Sequence, residues 1–107
     1  QDCYKVEYTP WGFNAKWNKI QEIMEEAGTG NRKVWYLNFS SGSTYTDPCD
    51  VANGGFLKLK GMNQRLEEFL RNKEWQKNND RIGTILMDFI DHKQNQLVPL
   101  IVDSNHW

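Results

Sequence analysis

Val34-Trp35-Tyr36-Leu37-Asn38-Phe39 is a nearly continuous apolar run, and its reading decides the fold. Such a run suits a strand covered on both faces, as in a parallel sheet. Working outward, Gly83-Thr84-Ile85-Leu86-Met87-Asp88-Phe89-Ile90 has the same character and predicts a second buried strand. Upstream, Tyr4, Val6 and Tyr8 stand at period two within Gln1 to Tyr8, and Thr9-Pro10 stops the run. The stretches between are helical in pattern. In Asn14 to Ala27, Trp17, Ile20, Ile23, Met24 and Ala27 share a face, while Lys16, Lys19, Glu22, Glu25 and Glu26 fall outside it. Asn14 can cap the start and Gly28 the end. Gly61 to Lys77 predicts a second helix, striped by Met62, Leu66, Phe69 and Leu70. Pro99 suits the first turn of a last short helix. Ser40 to Gly55 reads as a long loop, and unstructured loops of about 12–15 residues are uncommon and often functional.

The order is strand, helix, strand, helix, strand, helix. That alternation predicts an α/β fold with a parallel sheet and right-handed crossovers. Three such units close no barrel, which takes eight units and about 250 residues. The expectation is one domain over residues 1–107 that forms the second half of a barrel.

Composition narrows the function classes. Lys plus Arg number 13 and Asp plus Glu 14, a formal net charge of -1, so there is no electrostatic drive toward nucleic acid. Nor is the chain polybasic enough for charge alone to hold it on an anionic membrane. Five Trp, five Phe and four Tyr supply bulky core-formers and argue against general disorder. No apolar run approaches the roughly 18–20 residues of a membrane span. The sequence opens on Gln1-Asp2 rather than on Met and a basic region, so the expectation is a processed chain or a piece of a larger one. Cys3 and Cys49 stand far apart: they form either a disulfide closing a long loop in an oxidising compartment, or two buried free thiols. Asn38-Phe39-Ser40 is a glycosylation sequon, but it ends an apolar run and is expected to be buried.

Chemistry in α/β folds sits at the carboxyl ends of the strands. Three polar groups fall there: Asp2 with Tyr4, the run from Asn38 to Thr44, and Asp88 inside Ile-Leu-Met-Asp-Phe-Ile. A carboxylate in such an apolar run costs several kcal/mol unless paired or hydrogen-bonded, so Asp88 calls for a partner. The plainer reading is an Asp that caps the following loop. His92 and His106 read as surface residues. Gly54-Gly55 lacks the pattern of a phosphate loop, and no metal-ligand cluster or cofactor motif stands out. Trp17, Trp35 and Phe69 are expected in the core. Trp11, Tyr45, Phe56 and Trp107 fall in loops or at an end; Tyr45 and Phe56 either cover the core edge or dip into a lipid interface.

These residues, taken together, resemble the catalytic domain of bacterial-type phosphatidylinositol-specific phospholipase C, in its C-terminal half. Gln1-Asp2-Cys3-Tyr4 is similar to a strand end of that family, and Lys16-Trp17-Asn18-Lys19-Ile20 to its next helix. Trp35 through Gly42 is similar to its next strand and Ser-Gly turn. Arg81-Ile82-Gly83 through Met87-Asp88-Phe89, followed by Leu97-Val98 and Ile101-Val102 with Asn105, is similar to a late catalytic strand and its sequel. The resemblance spans nearly the whole chain, and its specificity lies in the joint order of short motifs.

The resemblance implies a distorted (β/α) barrel of TIM type. The implied reaction cleaves phosphatidylinositol, and in some members glycosylphosphatidylinositol anchors, to diacylglycerol and a cyclic inositol phosphate. Two histidines serve as general base and acid and an Arg steadies the phosphate. By the same resemblance Asp88 orients the general-base His, Asp2 accepts hydrogen bonds from inositol hydroxyls, and Tyr4 stacks under the ring. Ser40 and Ser41 line the substrate side of a turn that runs to Tyr45 at the membrane rim. The physics is coherent: a buried carboxylate fixes an imidazole's tautomer and stabilises the imidazolium. The family's two catalytic histidines and its phosphate Arg belong to the N-terminal half, and His92 and His106 do not fall at those positions. The implied partners are therefore phosphatidylinositol in a membrane surface and a companion N-terminal half, in a secreted protein peripheral to membranes. Two other readings stand beside this one. One is a non-catalytic lipid- or inositol-binding half-barrel; the other is a metal-dependent glycerophosphodiester phosphodiesterase on a related barrel.

Overall fold

The computed structural model describes residues 1–43, 47–54, 59–72, 81–89 and 96–104. Helix α1 covers Pro10–Thr29, strand β1 Leu37–Phe39, α2 Pro48–Asn53, α3 Met62–Leu70, β2 Thr84–Leu86 and α4 Leu97–Asp103. β1 and β2 pair in parallel, with Leu37 opposite Thr84, Asn38 opposite Ile85 and Phe39 opposite Leu86. Residues 1–6 lie along the other edge of β1. Phe39 N donates to Gln1 O, Ser43 N to Tyr4 O and Val6 N to Ser43 O, and Lys5 forms a parallel bridge with Ser43. Three extended segments thus stand side by side in chain order, all pointing the same way.

Local chemistry sets the helix ends. α1 begins at Pro10 rather than at Asn14, because the Thr9 hydroxyl accepts from Gly12 N and Pro10 occupies the first turn, where a missing N–H costs nothing. It runs on past Gly28, and Gly30 N closes it on Glu26 O. α2 interrupts the predicted long loop: Asp47 caps it through Cys49 N, with Pro48 next. At the start of α3 the Gln64 side chain accepts from Gly61 N. Gly61 itself is required by space, since a Cβ there would lie 2.4 Å from Ala52 O and 2.4 Å from Gly54 N.

Phe13, Ile20 and Met24 of α1 meet Val51, Met62, Leu66, Leu70, Ile82 and Leu97 in one core, with Val6 at its edge. At about 25 cal/mol per Å2 of apolar surface, this burial is the main force holding the helices to the sheet. Trp17 and Phe69 are half-buried and meet edge to face, ring centroids 5.7 Å apart.

Three expectations are corrected here. The apolar run is not covered on both faces: Leu37 is 37% exposed and Leu86 38%. Helices cover the side that Asn38 faces, and nothing among the described residues covers the other. Trp35 is not a core residue but 75% exposed, its indole N–H donating to the Thr84 hydroxyl across the open face. Lys16 does not fall outside the apolar face of α1; it is buried within it at 3% exposure. Cys3 and Cys49 are free thiols, Cys3 exposed and Cys49 half-buried. The sequon residue Asn38 is fully buried, donating to Ile20 O. The ends predicted for the second helix and second strand, at Lys77 and Ile90, lie outside the described residues, as do Tyr45, Phe56, His92, His106 and Trp107.

Candidate functional site at the strand ends

Parallel pairing brings the carboxyl ends of all three extended segments to one end of the sheet. Ser40 N donates to Leu86 O at 2.9 Å, continuing the β1–β2 pairing one residue past the strands. Ser41 and Asp88 each lie two residues beyond the paired residues Phe39 and Leu86. On the other side Asp2 and Tyr4 flank the stretch from Phe39 to Ser43. Asp2, Tyr4, Ser40, Ser41 and Asp88, up to 86 residues apart in sequence, therefore fall in one band only in the sense that all stand at this end of the sheet.

Their side chains differ in availability. Asp2 and Tyr4 are exposed, with the Lys5 ammonium 6.0 Å from the Tyr4 ring centroid. Ser40 is buried, and its hydroxyl donates to Leu86 O, so it serves the backbone of β2. Ser41 is half-buried. Asp88 is half-buried just past β2, and among the described residues its carboxylate makes no hydrogen bond or ion pair. No hydrogen bond among the described residues joins the side chains of Asp2, Tyr4, Ser41 and Asp88. The band is an arrangement of groups, not a closed network.

Two residues of this end escaped the sequence reading. Lys16 reaches from α1 and donates to Cys3 O at 2.8 Å and to Phe39 O at 2.5 Å, tying the first segment to the end of β1. Burial lowers its pKa to about 8, an effect opposed by the electrostatic influence of nearby Cys3 and Asp2. The signal was present in the sequence: Lys16 follows Phe13 by three and precedes Ile20 by four, on the stripe that faces the core. The second is Asn63, fully buried at the start of α3, whose amide donates to Asp88 O at 2.9 Å and to Phe89 O at 3.4 Å. Phe89 has φ of 53°, the one positive value at a non-glycine among the described residues.

Three cavities lie elsewhere. Two, of about 330 and 450 Å3, sit on the charged flank of α3 around Lys60 and Glu68. The third, about 410 Å3, lies between residues 3–7 and α1, lined by Cys3, Lys5, Trp11, Lys16 and Lys19 among others. None of the three is lined by Asp2, Tyr4, Ser40, Ser41 or Asp88. Among the described residues no helix is long and apolar enough to cross a membrane.

No protein-family model, curated protein or solved structure matches the chain.

Proposed function

We propose that this chain is the C-terminal half of a distorted (β/α) barrel that cleaves phosphatidylinositol, with its site at the carboxyl ends of the strands. The observation that carries the reading is the band itself. Asp2, Tyr4, Ser41 and Asp88 fall at the end of a parallel sheet where barrel enzymes keep their chemistry. Side-by-side strands in chain order are what a barrel requires. The uncovered apolar face around Trp35, Leu37 and Leu86 is the side a barrel turns inward, and we assign it to contact with the companion half.

In this reading Tyr4, exposed and flat, is the platform for the inositol ring and Asp2 accepts from its hydroxyls. Asp88 holds the imidazole of a general-base histidine supplied by the companion half. That histidine takes the proton of the inositol 2-hydroxyl, whose oxygen attacks phosphorus and expels diacylglycerol. A second histidine protonates the leaving oxygen. The chain by itself then lacks turnover. The turn that begins at Ser40 belongs to the rim that meets the membrane of a secreted, peripheral enzyme.

The test is direct. The native protein that carries this chain is incubated with phosphatidylinositol vesicles, and products are followed by phosphorus NMR. A resonance of a five-membered cyclic inositol phosphate is the expected result. Vesicle binding without any cyclic product would make the protein a lipid-binding half-barrel and overturn the enzymatic reading. Turnover that disappears with a chelator would point instead to metal-dependent phosphodiesterase chemistry.

A further inference from the structure

The turn that follows β2 carries backbone strain in an unusual place. Phe89 has φ of 53°, in the left-handed region that a bulky side chain seldom enters, and it is 45% exposed, so its ring is not driven there by core packing. Asp88 immediately precedes it. Residues held in sparsely populated backbone regions persist only where the surroundings fix them, and they gather at functional sites.

The fixing group is visible. The Asn63 amide nitrogen donates to the carbonyl oxygens of both Asp88 and Phe89. Successive carbonyls face a single donor only where the chain between them curls; an extended chain points them to opposite sides. Asn63 is fully buried and, among the described residues, its Oδ1 has no hydrogen-bond partner. That orphaned acceptor carries a desolvation penalty which a leucine of similar size would avoid. Turning the amide over would set Oδ1 against two carbonyl oxygens and lose both bonds, so the donor's direction is fixed. An amide kept in the core under that penalty, with both of its bonds on the one strained turn, acts on the turn rather than as filler.

We propose that Asn63 is a positioning residue: a single buried amide on α3 pins the Asp88–Phe89 backbone in its left-handed turn and thereby sets where the Asp88 carboxylate stands. The catalytic consequence rests on the phospholipase reading above; the pinning does not.

The test uses Asn63→Leu, alone and combined with Phe89→Gly, in the native protein. Two readouts are taken: the one-bond Cα–Hα coupling of Phe89, which reports the sign of φ, and turnover on phosphatidylinositol vesicles. N63L is expected to move Phe89 to negative φ, shift the Asp88 side-chain resonances and lower kcat at least tenfold with KM unchanged. Glycine enters the left-handed region without a clamp, so N63L with F89G is expected to return kcat to within about threefold of F89G alone. Phe89 keeping its positive φ in N63L, or a kcat loss that F89G does not relieve, overturns the proposal. Should the parent protein release no cyclic phosphate, the phospholipase reading falls, and the coupling and Asp88 resonances alone decide the positioning role. Asn63→Ala carries the same readouts if the leucine variant does not fold.

Discussion

The Lys16 ammonium lies 2.5 Å from the carbonyl oxygen of Phe39, almost wholly withdrawn from water. A long charged side chain is thus spent on joining α1 to the end of β1, and on reaching Cys3 O in the neighbouring segment. The arrangement has a cost that depends on pH. Burial favours the neutral amine and brings the pKa to about 8, from a usual 10.5. Between these values the unfolded chain holds the proton that the folded chain has shed, so stability rises with pH across that window. The contribution is complete above the unfolded pKa and is lost as pH falls through 8. Urea unfolding at pH 7 and pH 10, compared with Lys16→Met, should show the parent gaining up to about 3 kcal/mol relative to the variant. Equal pH dependence in the two proteins would mean that Lys16 keeps an ordinary pKa.

Gly61 joins α2 to α3 at a distance that admits no side chain. A methyl there would meet Ala52 O, Gly54 N and Asn53 N within 2.5 Å, and all three are backbone atoms that cannot swing aside. Gly61→Ala is expected to destabilise by about 3 kcal/mol, at the upper end of ordinary overpacking. The urea midpoint measures it, and a loss under about 1 kcal/mol would show that the two helices separate freely.

The open sheet face separates two states of the protein. In the isolated chain Leu37→Ser and Leu86→Ser should each cost less than about 1 kcal/mol, because both side chains already meet water. Leu66→Ala, in the middle of the core, should cost about 3 kcal/mol. If a companion half covers the open face, Leu37→Ser in the assembled protein should cost as much as the core variant. An unchanged small cost in the native protein would mean that this face stays wet, and the half-barrel proposal would lose its physical motive.

The two thiols should differ in reactivity. Cys3 is exposed and Cys49 half-buried, and they are not joined. Under native conditions a thiol reagent should modify Cys3 first and Cys49 several-fold more slowly, with both modified at equal rates in urea. A mass increase of two hydrogens on reduction of the native protein would instead reveal a disulfide.

How much of this could be read in advance follows from where each signal is local. Most of the chain order of extended and helical segments is legible, since periodicity and turn residues lie within each segment, but the six residues of α2 are too few to show a period inside the polar run from Ser40 to Gly55. The run at Val34 to Phe39 announced a strand but not which face would be covered. Covering depends on elements far along the chain, and here α1 and α3 lie on one side, leaving Trp35 in water. α1 starts four residues before the predicted Asn14 because Thr9 and Asn14 are both good caps, and only Pro10 distinguishes them. The charge of Lys16 points to solvent, whereas its position on the helix stripe, three after Phe13 and four before Ile20, is the better guide. Asn63 had no signal at all: its partners are the carbonyls of Asp88 and Phe89, 25 and 26 residues away, and a backbone acceptor leaves no mark in a sequence.

Asp88 stands two residues past the end of β2, its carboxylate without a partner among the described residues. An unpaired, half-buried carboxylate contributes little to stability, and replacing it with an amide of the same shape removes a charge without removing volume. Asp88→Asn should therefore leave the unfolding free energy of the native protein, from urea titration, within about 0.5 kcal/mol of the parent. Its effect on chemistry should be large if the carboxylate orients an imidazole, because the amide permits the wrong tautomer and no longer stabilises the imidazolium. A loss of about 10³- to 10⁴-fold in kcat, with KM little changed, is the expectation on that mechanism. Measured on phosphatidylinositol vesicles, a retained kcat would remove Asp88 from the mechanism. A large fall in stability would assign it instead to holding the turn after β2. Only the combination of preserved stability and lost turnover supports the role proposed for it.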